Sequence, residues 1–292
     1  MAGRIRMLLE IVKFKITILV SFTTGLGYLL GANEITLRMF YAIAGIFLLA
    51  CSASALNHYQ ERETDALMKR TKHRPIPSGK IEASSVLWIS SILFFSGSVV
   101  LFYMTNLEAL TAGYLTFIWY NAVYTPLKRR TSWAIIPGSL VGALPPVAGW
   151  LAAGGHLFDM KIIVTALYFF IWQIPHFWLL LILYSEDYKR AGFPTLTNIF
   201  TPVQLKRITA MWLISTVLVA LLIPLFGIIN YGVSGVVLLT ISLWMLYNSF
   251  RFLFSGGENK VVIGSFIRIN FYTLMLITLL SIDKFISLMN QL

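Results

Sequence analysis

Stretches of about 20 apolar residues recur along this chain, each long enough to cross a hydrocarbon layer roughly 30 Å thick as an α-helix. Nine can be marked, at about 15–32, 38–57, 84–105, 107–126, 133–153, 161–185, 207–229, 231–253 and 263–288. In lipid a segment must satisfy its peptide groups internally, so helix is the expected form of each. The connections between spans three and four and between spans seven and eight are short enough to force antiparallel hairpins. Composition agrees: 58% of the 292 residues are hydrophobic and 12% are charged, against about 45–50% and about 25% in soluble domains. Mean hydropathy is +0.77. A water-soluble globule is excluded, and so is a disordered chain. The expected fold class is an all-α integral membrane protein with one domain over 1–292. It is a bundle of nine transmembrane helices around a central cavity open to the cytoplasmic side.

The chain carries 23 Lys and Arg against 12 Asp and Glu. The excess does not point to nucleic acid, because the basic residues lie between the apolar stretches. Membrane topology and the headgroups of a lipid bilayer account for them there. All but Arg38, Lys161 and Lys284 gather on one side of the nine spans. That side is cytoplasmic by the positive-inside rule, which places the N-terminus inside and the C-terminus outside a cell inner membrane. In the N-terminal segment, Glu10, Lys13 and Lys15 interrupt the apolar run and no small-residue cleavage site follows. It reads as an amphipathic cytoplasmic lead-in and not as a secretory signal. Cys51 is the single cysteine, which excludes an intrachain disulfide and a multi-cysteine metal site.

Two long cytoplasmic loops, about 58–83 and 186–206, hold or adjoin Glu61, Glu63, Asp65, Glu82, Glu186 and Asp187. Long loops in a compact bundle tend to carry function. At the first of them, Asn57, Glu61 and Asp65 stand four residues apart. At about 100° per residue they share one helix face within an arc of about 80°. Glu63 is about 200° from Glu61 and points away. Two carboxylates and an amide oxygen form a hard-oxygen set of the kind Mg²⁺ uses, with water and phosphate oxygens completing its shell. The basic run that follows, including Arg70, Lys72 and Arg74, supplies phosphate clamps. An acidic stripe beside a basic cluster suits a substrate carrying a diphosphate. A solvated loop of mixed charge is the plainer alternative, but ionisable groups at a membrane-embedded helix end are costly and usually functional.

A second patch follows span six. Pro175 is expected to kink that helix, with His176 in a cavity wall roughly two turns above the acidic end. Glu186 and Asp187 are candidates for a second Mg²⁺, and Lys189 for a phosphate. A packed histidine and an ordinary interfacial loop are the alternative. On span four, Phe117, Trp119, Tyr120 and Tyr124 could line a prenyl cavity or simply pack, and Asn121 needs a polar partner. Pro145 and Pro146, with Gly142 and Gly149, are expected to break span five and bring it close to a neighbour.

Together these residues carry a family resemblance. Asn57-x3-Glu61-x3-Asp65, followed by Met68 to Pro75, closely resembles the first motif of the protohaem IX farnesyltransferase (haem O synthase) branch of the UbiA-type intramembrane prenyltransferases. The segments Trp172–Trp178 and Glu186–Pro194 also look like this branch. The resemblance implies transfer of the farnesyl group of farnesyl diphosphate to a vinyl group of haem b, with haem O and pyrophosphate as products. Asn57, Glu61 and Asp65, with Asp187, would hold Mg²⁺. Arg70, Lys72 and Arg74 would neutralise the departing charge, while Tyr120, Asn121, His176, Glu186, Asp187 and Lys189 would bind substrate. His176 is preferred over His58 as a ligand for the haem iron. Haem A synthase or terminal oxidase assembly are the partners such a product would serve. The second Asp-x3-Asp motif of the wider superfamily is absent: Ala191 stands four residues after Asp187. Two other readings compete, a UbiA-type enzyme acting on an aromatic quinone precursor or a chlorin, and a secondary transporter.

Overall fold

The computed structural model describes residues 2–256 and 258–290, and every regular element among them is helical. A short α1 (Ala2–Ile11) precedes α2 (Phe14–Gly31), α3 (Leu37–Leu67) and α4 (Ala83–Met104). The next helix, α5 (Leu107–Ile118), runs on through a π-helical turn (Trp119–Tyr124) into a last α-helical turn (Thr125–Leu127). A 3-10 turn (Ser132–Ala134) and an α-helical turn (Ile135–Gly138) lead to α6 (Leu140–Ala152), α7 (Met160–Leu183) and the short α8 (Ser185–Arg190). The bundle is completed by α9 (Pro202–Leu222), α10 (Gly232–Phe254) and α11 (Asn259–Met289).

Eight helical segments among the described residues are long and apolar enough to cross a membrane. The expected fourth span, about 107–126, is the one outside that set. Its α-helical part, α5, has only 12 residues before the π-turn begins. The π-turn has a local cause. Pro126 offers no N–H, so the carbonyls of Asn121 and Ala122 lose donors five and four residues ahead. The Thr125 N–H bonds back to the Tyr120 carbonyl instead of to Asn121. Gln60 Nε2 donates to the freed Asn121 carbonyl at 3.1 Å, which ties the turn to α3.

α3 outlasts its expected span and has 31 residues, so the first long loop begins at Met68 and not near 58. Small residues let the helices approach closely, as membrane bundles require. On the α3–α4 seam a Cβ at Gly97 would lie 2.9 Å from the Gly45 carbonyl oxygen. Ser52 and Ser90 donate to each other's carbonyls there at 2.7 and 2.9 Å. On the α2–α6 seam, a Cβ at Gly27 would collide with the Pro146 carbonyl and one at Gly149 with the Thr24 carbonyl. The close approach expected of span five is therefore present, but Pro145 and Pro146 lie inside α6 without ending it. The break falls earlier, at Ser139. The helix α7 likewise continues through Pro175. Gly149→Ala is expected to destabilise the bundle by roughly 1–3 kcal/mol through overpacking, read as a lowered unfolding temperature in detergent.

The largest apolar core cluster includes Leu26, Leu49, Trp150, Tyr168, Phe169, Leu213 and Tyr272. Trp88, Phe95, Phe102 and Phe250 remain exposed, as lipid-facing side chains do. Ile11 of α1 is buried against Ala55 and Val86, which fixes this helix across the ends of α3 and α4.

Candidate active site

Asn57, Glu61 and Asp65 lie on one face of α3, are all buried, and all line a single cavity of about 700 Å³. Each faces a basic side chain from a different part of the chain. Lys13 Nζ donates to Asn57 Oδ1 at 2.6 Å, and Arg74 Nη1 reaches Asp65 Oδ2 at 2.6 Å. Lys128 Nζ pairs with Glu61 Oε1. Lys13 comes from the junction of α1 and α2, Arg74 from the loop after α3, and Lys128 from the end of the α5 path. All three basic residues also line the cavity.

Two of these cations, Lys13 and Lys128, had only a topological reading in the sequence. Lys13 is the only non-glycine among the described residues with positive φ, at 49°. That conformation costs about 1–2 kcal/mol in an L residue, and here it turns the chain from α1 into α2 beside the site. Burial, reinforced by the Arg74 guanidinium, lowers the Lys13 ammonium to about 7. An anion arriving in the cavity would relieve that penalty. Lys13 Nζ also donates to the Tyr120 hydroxyl at 3.1 Å, and Asn57 Nδ2 donates to Thr125 Oγ1 at 3.1 Å. The π-turn is thereby joined to the acidic stripe.

The remaining sequence-derived residues divide between the cavity and its surroundings. Arg70 lines the cavity, with its guanidinium 5.0 Å from the Tyr184 ring centre. Lys72 is exposed and is not a lining residue. Glu186 and Lys189 are exposed and pair with each other at 3.1 Å, away from the lining. Asp187 accepts the backbone N–H groups of Lys69 and Arg70, both at 3.1 Å. Its two oxygens therefore hold the loop that carries Arg70 and Arg74, and it is not in the lining. Asn121 is buried and outside the lining; its Nδ2 donates to the Phe117 carbonyl at 3.1 Å and its Oδ1 has no partner. Trp119 donates to the Pro137 carbonyl at 2.7 Å, and it too is outside the lining.

Tyr120, Tyr124 and Phe117 do line the cavity. Tyr120 stacks on Tyr124 with centroids 6.0 Å apart, and Tyr124 stacks on Phe177 at 6.0 Å. Phe177 meets His176 at 5.6 Å. A path of aromatic rings thus leads from the acidic stripe to His176. Apolar side chains of α2 and α3, among them Leu19, Val20, Leu49 and Ala53, supply much of the remaining wall. His176 lines this cavity and His58 does not, although His58 is buried beside Asn57 in the sequence.

Residues 18–271 match the UbiA prenyltransferase family. The chain is 40% identical over 202 residues to the protoheme IX farnesyltransferase of Geobacter sulfurreducens, covering 69% of this chain and 74% of that protein. It is 34% identical over 286 residues to the protoheme IX farnesyltransferase of Christiangramia forsetii, covering 95% and 93% of the two chains. Among solved structures, a digeranylgeranylglyceryl phosphate synthase superposes with a TM-score of 0.77 at 16% identity, covering 97% of this chain and 99% of the other. A UbiA homolog from Archaeoglobus fulgidus bound to GPP and Mg²⁺ superposes with a TM-score of 0.65 at 15% identity, covering 94% and 99%. At those identities the structural likeness is one of fold.

Proposed function

We propose that this chain, which belongs to the UbiA prenyltransferase family, transfers the farnesyl group of farnesyl diphosphate to a vinyl group of haem b. The products are haem O and pyrophosphate. One observation carries the reading: a single cavity holds the Asn57, Glu61 and Asp65 stripe and, along a path of rings, the His176 imidazole. The names of the relatives from G. sulfurreducens and C. forsetii support the acceptor. The transporter reading does not survive membership of a prenyltransferase family.

The donor set fits Mg²⁺. Each of its three side chains faces a Lys or Arg, so Mg²⁺ would enter together with a diphosphate, whose oxygens would draw those basic groups away from the two carboxylates and the amide. Among the described residues no three His, Cys, Asp or Glu side chains converge on a metal position. Two carboxylates and one amide would leave the rest of the shell to diphosphate oxygens and water, as Mg²⁺ prefers. When bound there, Mg²⁺ supplies charge neutralisation for the leaving pyrophosphate.

The chain's own groups do the rest. Arg70, Arg74, Lys128 and Lys13 take the diphosphate oxygens, and their charge stabilises the leaving group as the allylic C–O bond breaks. The faces of Tyr120, Tyr124 and Phe177 stabilise the farnesyl cation, and the apolar walls keep bulk water away from it. The vinyl carbon of the haem attacks this cation, forming the new C–C bond. Water then adds to the resulting haem-side cation and loses a proton, which leaves the hydroxyl group. Asp187 holds the clamp loop in place, and Lys72, Glu186 and Lys189 act at the rim where diphosphate enters. We place the basic-rich ends in the cytosol of an inner membrane, with the α5 path as a ninth crossing, so that the C-terminus lies outside. The product would pass to haem A synthase or to terminal oxidase assembly.

The test presents the purified protein with farnesyl diphosphate, Mg²⁺ and an equimolar mixture of haem b and 4-hydroxybenzoate. Mass spectrometry is expected to find farnesylated, hydrated haem and no prenylated benzoate. The opposite product would assign the chain to the quinone-precursor branch.

A further inference from the structure

The helix α11 received no functional role from the sequence, yet it places Asn270 in the cavity wall. The orientation of its amide is fixed at both ends. Nδ2 donates to the Phe266 carbonyl, one turn back, at 2.6 Å. Oδ1 therefore faces His176 Nδ1, at 2.8 Å. A flipped amide would set its oxygen against the Phe266 carbonyl and lose that bond. An amide oxygen can only accept, so Nδ1 carries the ring proton and Nε2 keeps its lone pair. The imidazole cannot swing away easily. The Trp172 and Phe266 rings pack against it, each with its centroid 4.9 Å away, at interplanar angles of 42° and 41°.

This is more constraint than a buried histidine needs to satisfy one nitrogen. One tautomer is selected, the ring plane is held by two aromatic groups, and the remaining nitrogen belongs to a residue lining a cavity. Of the four histidines in the chain, His176 is the only one in that lining. Histidines that ligate metals commonly donate their other ring N–H to an acceptor that fixes tautomer and orientation.

We infer that Asn270 is a positioning residue for the tetrapyrrole acceptor: it holds His176 as the Nδ1–H tautomer, so that Nε2 ligates the haem iron. This rests on haem b being the acceptor. Iron ligation from α7 anchors the macrocycle at one point. The reacting vinyl can then be held against the prenyl chain lying along Tyr120, Tyr124 and Phe177. In this role Asn270 touches neither farnesyl diphosphate nor the reacting carbons, and it acts only through the imidazole.

The test titrates ferric haem b into the full-length protein in nanodiscs without farnesyl diphosphate, following the absorption and electron paramagnetic resonance of the iron. Wild type is expected to give a histidine-ligated spectrum. His176→Gly is expected to lose that signature and regain it on addition of imidazole. Asn270→Leu should weaken haem binding by about 10–100-fold. Asn270→Asp keeps the size and accepts the Nδ1 proton more strongly, so it should retain ligation and lower the reduction potential of the bound haem. A purely structural asparagine would leave that potential unmoved. The inference is overturned if His176→Gly binds haem with the wild-type spectrum, or if both Asn270 variants keep wild-type affinity and potential. Haem O formation by the wild-type protein, measured separately, tells this failure apart from failure of the transferase reading.

Discussion

Asp65→Asn is expected to lower farnesyl transfer by roughly three orders of magnitude while the protein remains inserted and folded. The asparagine has almost the same shape, and its Oδ1 can still accept from Arg74, which reaches Asp65 at 2.6 Å. The buried loop contact is therefore kept, and Thr71 still donates to the residue-65 carbonyl. What disappears is one of the two carboxylates available to a divalent ion. Turnover by mass spectrometry, alongside thermal unfolding, checks both halves. Activity within a few-fold of wild type would remove Asp65 from metal binding.

The second large effect concerns the Lys128–Glu61 pair. Lys128→Met leaves Glu61 as a buried carboxylate without its nearest cation. Breaking one side of a buried pair costs about 3–5 kcal/mol, so the unfolding temperature should fall sharply. Adding Glu61→Gln removes the stranded charge, and the double variant should recover most of the stability. It should nevertheless transfer no measurable farnesyl, because both a proposed metal ligand and a proposed phosphate clamp are gone. A double variant no more stable than Lys128→Met would show that the two side chains are not coupled in folding.

The stripe of Asn57, Glu61 and Asp65 was legible because helical periodicity alone fixes which side chains share a face, and α3 continues as a helix through all three. Their counterions were hidden. Lys13 stands 44 positions from Asn57 in the chain, and no local pattern announces that a left-handed turn will carry its ammonium into the site. Lys128 sat in a short basic run whose membrane topology already explained it. Glu186 and Lys189 show what residue types in a motif leave open. They are of the right types beside the right motif, but on the six-residue α8 they lie three apart and pair with each other. Asp187 was expected to hold a metal ion and to bind substrate; in the fold its two oxygens accept the peptide N–H groups of Lys69 and Arg70, in a loop distant in sequence. The fold itself was legible from apolar length, except where backbone chemistry interrupted the fourth span.

That interruption has a geometric consequence. A π-turn accommodates one residue more than an α-turn, which shifts the angular phase of everything after it by about 100°. The helix path that begins at Leu107 therefore ends on a different face from the one its own start would dictate. Lys128, the Thr125 hydroxyl and the Arg129 bond to the Gln60 carbonyl at 2.5 Å all lie downstream of that offset. The π-turn that divides this stretch is thus also a rotational setting. One surplus residue aims the cationic end of the path at α3, and a perfectly regular helix of the same composition would point it elsewhere.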